Sequence, residues 1–345
     1  MLDSGLPPRR SVVPRNAPVT LDDVARIAQV SAITVSRVIN RPGMVSERTA
    51  KRVQKAIDKT GYVPNLAAGS LVSQRSRLVI VVMPSIANHV FVETIRHLSL
   101  ALAKERYQLM LIQSSYTEAS EMELIATLLA RRPDGLVLTT SLRSPEARKR
   151  LLSRDLPVVE AWELKDDPID AVVGFSHAAA GADMAQHMLD RGYRQYGLVW
   201  SNDARAASRL KACTETLLAG GATVAQTVLV DVPVSVGYGR SALATILESH
   251  PDIDAVICSI DLLAQGVLAE AQARHIQVPK QLAVMGFGDL DFAAHIHPPL
   301  STVRADGARI GEFAAQFLLQ RICGQSRRGE LLEDVGFEVV GRETT

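Results

Sequence analysis

Residues 19–40 read VTLDDVARIAQVSAITVSRVIN, and this stretch decides the fold of the first part of the chain. Asp23 follows Thr20 by three residues, which is the spacing of a helix-capping box. Ser31 stands where it can cap a second helix. The first helix is expected to bury one apolar face, formed by Leu21, Val24, Ile27 and Ala28. Two short helices joined by so brief a turn predict a helix-turn-helix motif.

A third helix is expected to complete a small bundle. Ser46 stands at its predicted start, and Gly61 marks its end. Between them, Val53, Ala56 and Ile57 recur at helical spacing and should face inward. Three helices within about forty residues form a compact all-α unit.

The segments that flank this bundle differ in composition. Residues 1–18 combine Pro and Arg with few apolar positions, which predicts a disordered basic arm. After the bundle, Asn65 can cap one short helical turn inside a linker that covers residues 65–76. The helix-turn-helix domain is therefore predicted over residues 19–64, and residues 77–345 form a separate body.

Charge is distributed unevenly along the chain. Residues 1–76 contain 12 Lys and Arg against 5 Asp and Glu, a net charge of +7, so the remainder carries −6 of a total of +1. A basic first domain on an acidic body is typical of a nucleic-acid reader that is joined to another function. Double-stranded DNA is thus the expected partner, although a three-helix adaptor module has the same outline.

The second predicted helix presents the residues that would read DNA. They share one face and are Ala32, Ile33, Ser36, Arg37 and Asn40. An arginine can bind the O6 and N7 atoms of guanine, and serine or asparagine suits phosphate or adenine. Ala32 and Ile33 are apolar, so they could contact thymine methyl groups but could not form hydrogen bonds with a base edge.

The sequence of the body has the alternating pattern that is typical of an α/β protein. Amphipathic helical stretches alternate with apolar β-rich runs, which are LVIVVMP, YQLMLI, DGLVLTT, LPVVEA, AVVGF, QYGLVW, DAVICS and LAVMGF. This alternation predicts parallel sheets with helices on both faces, and the strands are too numerous for one sheet of ordinary size. The predicted fold class is an all-α helix-turn-helix bundle followed by two doubly wound parallel-sheet subdomains. A ligand is expected in the cleft where the strands end.

Several classes of protein are disfavoured. The three cysteines are far apart, so neither a zinc site nor a disulfide framework is indicated. The GFGD stretch at 286–289 ends a late strand, which argues against a nicotinamide site, and His295 and His297 are expected to be structural or solvated. No catalytic motif, cofactor or metal is predicted. The amino terminus lacks an apolar signal segment and no run is long enough to span a membrane, so we expect a cytoplasmic protein.

The residues quoted above resemble a known family. TLDDVARIAQVSAITVSRVIN, VSERTAKRVQKAIDKTGYVPNLAAGSL and MGFGDLDFAAHIHPPLSTVR are similar to the lactose-repressor/galactose-repressor family of bacterial transcriptional regulators, over roughly residues 19–342. Within it, the stretches VMPSIANHVFVETIRHL, PVVEAWE and VGFSHAAAG look most like the gluconate and ketogluconate repressors.

The resemblance implies roles in DNA binding. Phosphate contacts are implied for Thr20, Ser31, Thr34, Ser46 and Tyr62. Ala32, Ile33 and Arg37 match the base readers in the major groove. Residues 65–73, with Asn65, Ala68 and Leu71 among them, match a hinge helix that enters the minor groove, where Leu71 is the implied wedge between base pairs. Without the resemblance, Leu71 reads as a linker residue that packs on the body.

Two residues depart from the family pattern. Gln29 occupies the turn position where the family often has glycine, so a strain of about 1 kcal/mol is expected there. Gly69 lies inside the implied hinge helix and should make that helix harder to form without DNA.

The resemblance also implies a body like that of periplasmic binding proteins, with two subdomains joined by three crossovers. Their expected extents are 77–175 with 304–336, and 176–303 with 337–345. The implied effector pocket is formed by Asn88, Phe91, Tyr116, Thr140, Glu160, Trp162, Arg209 and Asp289.

Arg209 is the most informative of these residues. A guanidinium that faces a cleft can bind a carboxylate through paired hydrogen bonds, although a surface ion pair is the ordinary alternative. Relatives that bind neutral sugars often have an Asp where this chain has Gly288, and this difference favours a sugar acid such as gluconate or 2-ketogluconate. We therefore expect a repressor that acts as a homodimer, or a higher oligomer, on a palindromic operator.

Two other classes of function remain compatible with parts of the sequence. A sugar-acid enzyme with a fused helical module would share the body, and detectable turnover would favour it. A binding protein for transported ligands would share the body fold, but the basic helix-turn-helix segment disfavours it.

Overall fold

The computed structural model describes residues 19–40, 42–63, 75–86, 88–114, 118–142 and 144–345. The chain divides into two compact units, Met1–Ser76 and Arg77–Thr345. The predictions for the basic arm, Tyr116 and residues 64–74 lie outside the described residues. Those predictions include the hinge residues Asn65, Ala68 and Leu71.

The described part of the first unit contains three α-helices, which are α1 (Leu21–Ala28), α2 (Ala32–Asn40) and α3 (Glu47–Thr60), with a short 3-10 turn at Pro42–Met44 between α2 and α3. The predicted capping box is present, because the Thr20 side chain accepts from the Asp23 backbone N–H while the Asp23 side chain accepts from that of Thr20. Ser31 Oγ accepts from Thr34 N at 3.2 Å and caps α2. The predicted helix-turn-helix is confirmed.

Two local expectations in this unit were wrong. Ile27 was expected to face the core but is 44% exposed. Ala25 is buried beside Val24 in its place. Ser46 precedes α3 but makes no side-chain cap to the backbone, because its hydroxyl instead donates to Thr49 Oγ1. Helical periodicity identifies the inward side of an eight-residue helix, but one position at its edge can turn to solvent.

The second unit contains two parallel sheets. The strands of the first are β1 (Leu78–Met83), β2 (Gln108–Gln113), β3 (Gly135–Leu138), β4 (Val158–Ala161), β5 (Ala171–Gly174) and β11 (Leu332–Asp334). Those of the second are β6 (Gln195–Ser201), β7 (Thr223–Val230), β8 (Ala255–Cys258) and β9 (Ala283–Met285). The first sheet has the order β11-β5-β4-β3-β1-β2, and the second has the order β7-β6-β8-β9.

Within the described residues of the second unit, eight α-helices connect and cover these strands. They are α4 (Val92–Lys104), α5 (Glu118–Ala130), α6 (Pro145–Leu152), α7 (His177–Asp190), α8 (Ala204–Ala219), α9 (Val236–Ser249), α10 (Asp261–Ala273) and α11 (Gly307–Ile322). A small antiparallel pair is formed by β10 (Thr302–Arg304), which precedes α11, and β12 (Glu338–Val340), which follows β11. The chain therefore passes between the two parallel sheets three times.

All eight predicted apolar runs are strands, and the predicted fold class is confirmed. Seven of them are β1, β3, β4, β5, β6, β8 and β9, which are buried except for the first residue of β1 and of β6. Sequence reasoning missed β7, in which only Val230 is buried because the strand forms an edge of the second sheet. None of the described helices is long and apolar enough to cross a membrane.

Gln29 provides a test of backbone strain in the first unit. Its φ of 51° and ψ of 49° lie in the left-handed region, which a side chain with a Cβ atom adopts at a cost. Replacing Gln29 with Gly should raise the stability of the first unit by up to about 1 kcal/mol. Hydrogen exchange of the α1 and α2 amides in the full chain would measure the change. Gln29→Ala keeps the Cβ atom and should give no gain, so an equal gain in both variants would contradict the strain.

Candidate ligand-binding cavity and recognition helix

The second unit contains a cavity of about 350 Å³ at the carboxyl ends of both sheets. This volume falls in the range of small-molecule sites. The segments that follow β1, β2, β3 and β4 form one wall, and those that follow β6, β7, β8 and β9 form the other. The lining residues are Pro84, Ser85, Asn88, Val90, Phe91, Ser114, Glu121, Thr139, Thr140, Ser141, Leu142, Trp162, His177, Ser201, Asp203, Ala204, Arg205, Arg209, Val232, Pro233, Val234, Ser259, Ile260 and Phe287.

Arg209 is a buried cation in this lining. Only 6% of its surface is exposed, and burial lowers the pKa of its guanidinium to about 10, so the group stays charged at neutral pH. Its terminal nitrogens contact His177 Nδ1 at 2.8 Å and the Ser259 carbonyl at 3.0 Å, and its Cζ lies 4.0 Å from the centre of the Phe287 ring. Among the described residues, no carboxylate forms a salt bridge with Arg209. Its Nε–H has no hydrogen-bond partner in this part of the chain.

Arg205 lies one helical turn before Arg209 on α8 and spans the cavity. Its terminal nitrogens donate to the Thr139 carbonyl at 2.6 Å and to the Ala161 carbonyl at 2.8 Å, both at the ends of strands of the first sheet. Its Nε lies 3.5 Å from a carboxylate oxygen of Glu163. Arg205 therefore has a carboxylate within ion-pair distance, whereas the carboxylates of Asp203 and Glu163 act on Arg209 only through longer-range electrostatic attraction.

His177, the first residue of α7, lies between Arg209 and the first sheet. Its Nε2 is 2.9 Å from the Trp162 carbonyl, which can only accept, so Nε2 carries the hydrogen. Arginine can only donate, so Nδ1 is the unprotonated acceptor for Arg209. Burial first, and then the charges of Arg209 and Arg205, lower the pKa of His177 to about 2 and keep the imidazole neutral.

Trp162 has an unusual backbone at this wall. Its φ of 75° is rare for a bulky residue, and the conformation is held by contacts on both sides. Its backbone N–H donates to the Val173 carbonyl at 2.8 Å, and its indole Nε1 donates to Thr94 Oγ1 at 3.1 Å. The indole also packs edge-on against Phe91, with the ring centres 5.3 Å apart.

The structure brings five of the eight residues predicted for the effector pocket into the cavity wall. They are Asn88, Phe91, Thr140, Trp162 and Arg209. Tyr116 lies outside the described residues. The other two, Glu160 and Asp289, are not in the wall, and this corrects the sequence-based expectation.

Both carboxylates are held by partners elsewhere. Glu160 accepts from Lys165 Nζ at 2.8 Å and from the Ile169 backbone N–H at 2.7 Å. Asp289 accepts from Arg304 and Arg342, each at 2.6 Å. In each case nearby donors satisfy the carboxylate.

The backbone conformation of Gly288, which precedes Asp289, favours glycine at this position. Its φ is 122°, and a Cβ atom built there would lie 3.1 Å from Val90 in the cavity wall. An Asp side chain at this position would therefore strain the backbone and crowd the opposite wall.

Sequence reasoning missed Arg205 and His177. The four-residue spacing of Arg205 and Arg209 was a signal that both lie on one face of a helix. No comparable local signal exists for His177, because its partners are 15 and 32 residues away along the chain.

In the first unit, α2 presents an exposed face that contains both apolar and charged residues. Ile33 is 65% exposed, Arg37 is exposed, and Ala32 and Ser36 are half-buried. The residues predicted to contact phosphate at Thr20, Ser31 and Ser46 are exposed and Thr34 is half-buried, whereas Tyr62 is only 9% exposed and packs in the bundle core. The Asn40 side chain lies outside the described part of the structure.

A helix-turn-helix unit and a body with a ligand-sized cavity, in one chain, are the parts of a ligand-responsive DNA-binding regulator. Comparison with known families agrees with this class. Residues 20–65 match the lacI family of bacterial regulatory proteins, and residues 185–345 match the periplasmic binding protein-like domain.

Whole-chain comparisons give the same assignment. The HTH-type transcriptional regulator GntR of Pseudomonas aeruginosa is 36% identical over 328 residues, which cover 94% of this chain and 95% of that protein. The crystal structure of a LacI-family transcriptional regulator from Silicibacter pomeroyi has a TM-score of 0.87 at 32% identity and covers 95% of this chain and 99% of that one. The transcription regulator GntR of Chromobacterium violaceum has a TM-score of 0.71 at 39% identity and covers 77% of this chain and 98% of that one.

The chain belongs to the lacI family of bacterial regulatory proteins. It is a DNA-binding transcriptional regulator and not an enzyme.

The neutral state of His177 predicts a pH dependence of stability. In the unfolded chain His177 takes up a proton below its ordinary pKa of 6.5, whereas in the folded protein Arg209 and Arg205 face it and the pKa is about 2. The free energy of unfolding should therefore fall as pH drops through 6.5, by at most about 1.4 kcal/mol per pH unit from this group. His177→Gln should remove that part of the slope.

Urea unfolding of both proteins between about pH 7 and pH 5 would measure the difference. The two tryptophans, Trp162 and Trp200, lie in the second unit, so their fluorescence follows its unfolding. Equal slopes for wild type and variant would show that His177 is not held neutral.

Proposed function

We propose that this protein represses genes for the catabolism of gluconate or 2-ketogluconate, and that the sugar acid releases it from a palindromic operator by binding in the cavity. The observation that carries this proposal is Arg209, a buried charge without an acidic partner among the described residues. A buried ion without a direct ion-pair partner costs several kcal/mol, and a bound carboxylate would offset that cost. Two of its five N–H donors are used, so a carboxylate can engage the others.

The rest of the cavity suits a polyhydroxylated chain. Hydroxyl and amide groups from Asn88, Thr140, Ser141 and Ser201 stand in the lining beside the apolar ring of Phe91. Such groups can exchange hydrogen bonds with ligand hydroxyls, whereas Gly288 contributes no side chain that would repel an anion. The resemblance to gluconate and ketogluconate repressors and the similarity to GntR proteins support the same ligand class.

The exposed face of α2 supports sequence-specific binding to double-stranded DNA. Arg37 is free to reach guanine, and the exposed Ile33 can contact a thymine methyl group. We propose phosphate contacts for Thr20, Ser31, Thr34 and Ser46. Two copies related by a dyad would double the contact on a palindrome, so a homodimer is the proposed form. Operator binding would place the protein in the bacterial cytoplasm.

The link between ligand and DNA follows from the position of the cavity. It lies between the sheets of the two proposed subdomains, residues 77–175 with 304–336 and residues 176–303 with 337–345. A ligand held by both walls would fix the angle between these subdomains. We propose that this angle controls the segment 65–73 and thereby operator affinity. Linkage then requires operator DNA to weaken ligand binding by the same factor.

Arg209→Ala tests the ligand assignment. Because the variant loses the charge that meets the carboxylate, gluconate affinity should fall by about 100-fold while operator affinity is kept. Calorimetry with gluconate and 2-ketogluconate, together with operator gel shifts, would measure both. The matched control is Arg240→Ala, which removes an exposed arginine that pairs with Glu270. Release from the operator by either acid at unchanged concentration would show that Arg209 does not hold the carboxylate.

Arg37→Ala tests the DNA assignment. Losing a guanine contact should weaken specific binding by about 1–3 kcal/mol and relax base preference at one position per half-site. Non-specific binding should change less. Lys51→Ala removes an equal charge from α3, where Lys51 pairs with Glu47, and should lower both affinities alike. Titrations with operator and scrambled duplexes distinguish the two, and parallel losses for Arg37→Ala would make it a phosphate contact.

A further inference from the structure

We propose that His177 is a positioning residue that fixes the orientation of the Arg209 guanidinium for the ligand carboxylate. This inference rests on the proposed function for its ligand, but the contacts that support it are independent of the ligand. His177 joins the end of β4, through the Trp162 carbonyl, to one terminal nitrogen of Arg209.

His177 acts as a pure acceptor toward Arg209. The Trp162 carbonyl requires a hydrogen on Nε2, so Nδ1 presents a lone pair to Arg209 at 2.8 Å. An acidic residue in this place would pair with Arg209 and compete with a ligand anion. A neutral imidazole holds the guanidinium without cancelling its charge.

The imidazole of His177 is packed so that it cannot easily turn. Its ring centre lies 4.6 Å from that of Phe175 and 6.2 Å from that of Phe287, and only 5% of the residue is exposed. Phe287 also lies under the Arg209 guanidinium. The same aromatic ring thus packs against both partners of the hydrogen bond.

Trp162, whose carbonyl anchors His177, has an uncommon backbone conformation. Trp162 keeps its φ of 75°, and its indole donates to Thr94, whose hydroxyl in turn donates to the Gly307 carbonyl at 2.8 Å. Strained conformations of this kind persist where the surroundings fix them, and they cluster at functional sites. Arg209 is therefore connected through His177 and Trp162 to the start of α4 and of α11.

Two amide variants separate the hydrogen bonds of His177. Asn carries its amide on Cγ and can place an oxygen where Nδ1 stands, so His177→Asn can keep the contact with Arg209. Gln carries its amide one bond further out, so His177→Gln can keep the contact with the Trp162 carbonyl but not the one with Arg209. His177→Leu keeps neither.

The first measurement uses calorimetry of the full-length protein with gluconate and with its neutral amide, gluconamide. The preference for gluconate over gluconamide should fall by about tenfold in His177→Gln and His177→Leu and should be kept within about threefold in His177→Asn. A general loss of packing would lower both affinities and leave the preference unchanged. Wild-type preference in all three variants would overturn the positioning role.

The second measurement does not need the ligand. Nitrogen-15 NMR of arginine-labelled protein, with the Arg209 signal assigned by its loss in Arg209→Ala, reports how freely the guanidinium rotates. Slow rotation is expected in wild type and His177→Asn, and fast rotation in His177→Gln and His177→Leu. If rotation is equally slow in all of them, the positioning role fails. If wild type binds no sugar acid, the proposed function fails while the rotation still decides the role of His177.

Discussion

The cavity depends on one electrostatic constraint, the charge of Arg209 in an interior where no described carboxylate pairs with it. A neutral imidazole nitrogen, a backbone carbonyl and the face of Phe287 offset part of the cost of burying that charge. Each of these groups is attractive to a cation and none is an anion. The surroundings therefore stabilise the guanidinium in place while leaving its charge available, which is the requirement for recognising an acid.

Much of the fold could be predicted from sequence because its signals are local. The caps at Thr20 and Ser31 act within three residues, and a continuous apolar run such as 78–83 has few alternatives to a buried strand. The hydrophobic pattern failed to predict the structure where residues are only partly buried. The strand at 223–230 mixes polar and apolar residues without a regular period, and Ile27 lies at the margin of a short helix, so tertiary packing decided the burial of both.

The site was less predictable because it depends on contacts between distant segments. Arg209 could be predicted from the family resemblance, since its position on the helix is fixed by the motif. The resemblance implied that Glu160 and Asp289 line the cavity, but neither is among its lining residues, and nearby cations pair with both carboxylates. The role of His177 depends on its contacts with both Trp162 and Arg209, and no pattern of residue types along the chain predicts that these three residues lie together.

The contact of Arg205 across the cavity has an evolutionary consequence. On the first sheet it uses two backbone carbonyls, those of Thr139 and Ala161, which every amino acid possesses. Substitutions at these two positions can change the shape and polarity of the wall without removing the acceptors. The contact between the walls therefore requires that Arg205 be kept, whereas the lining residues around it can change to suit other ligands.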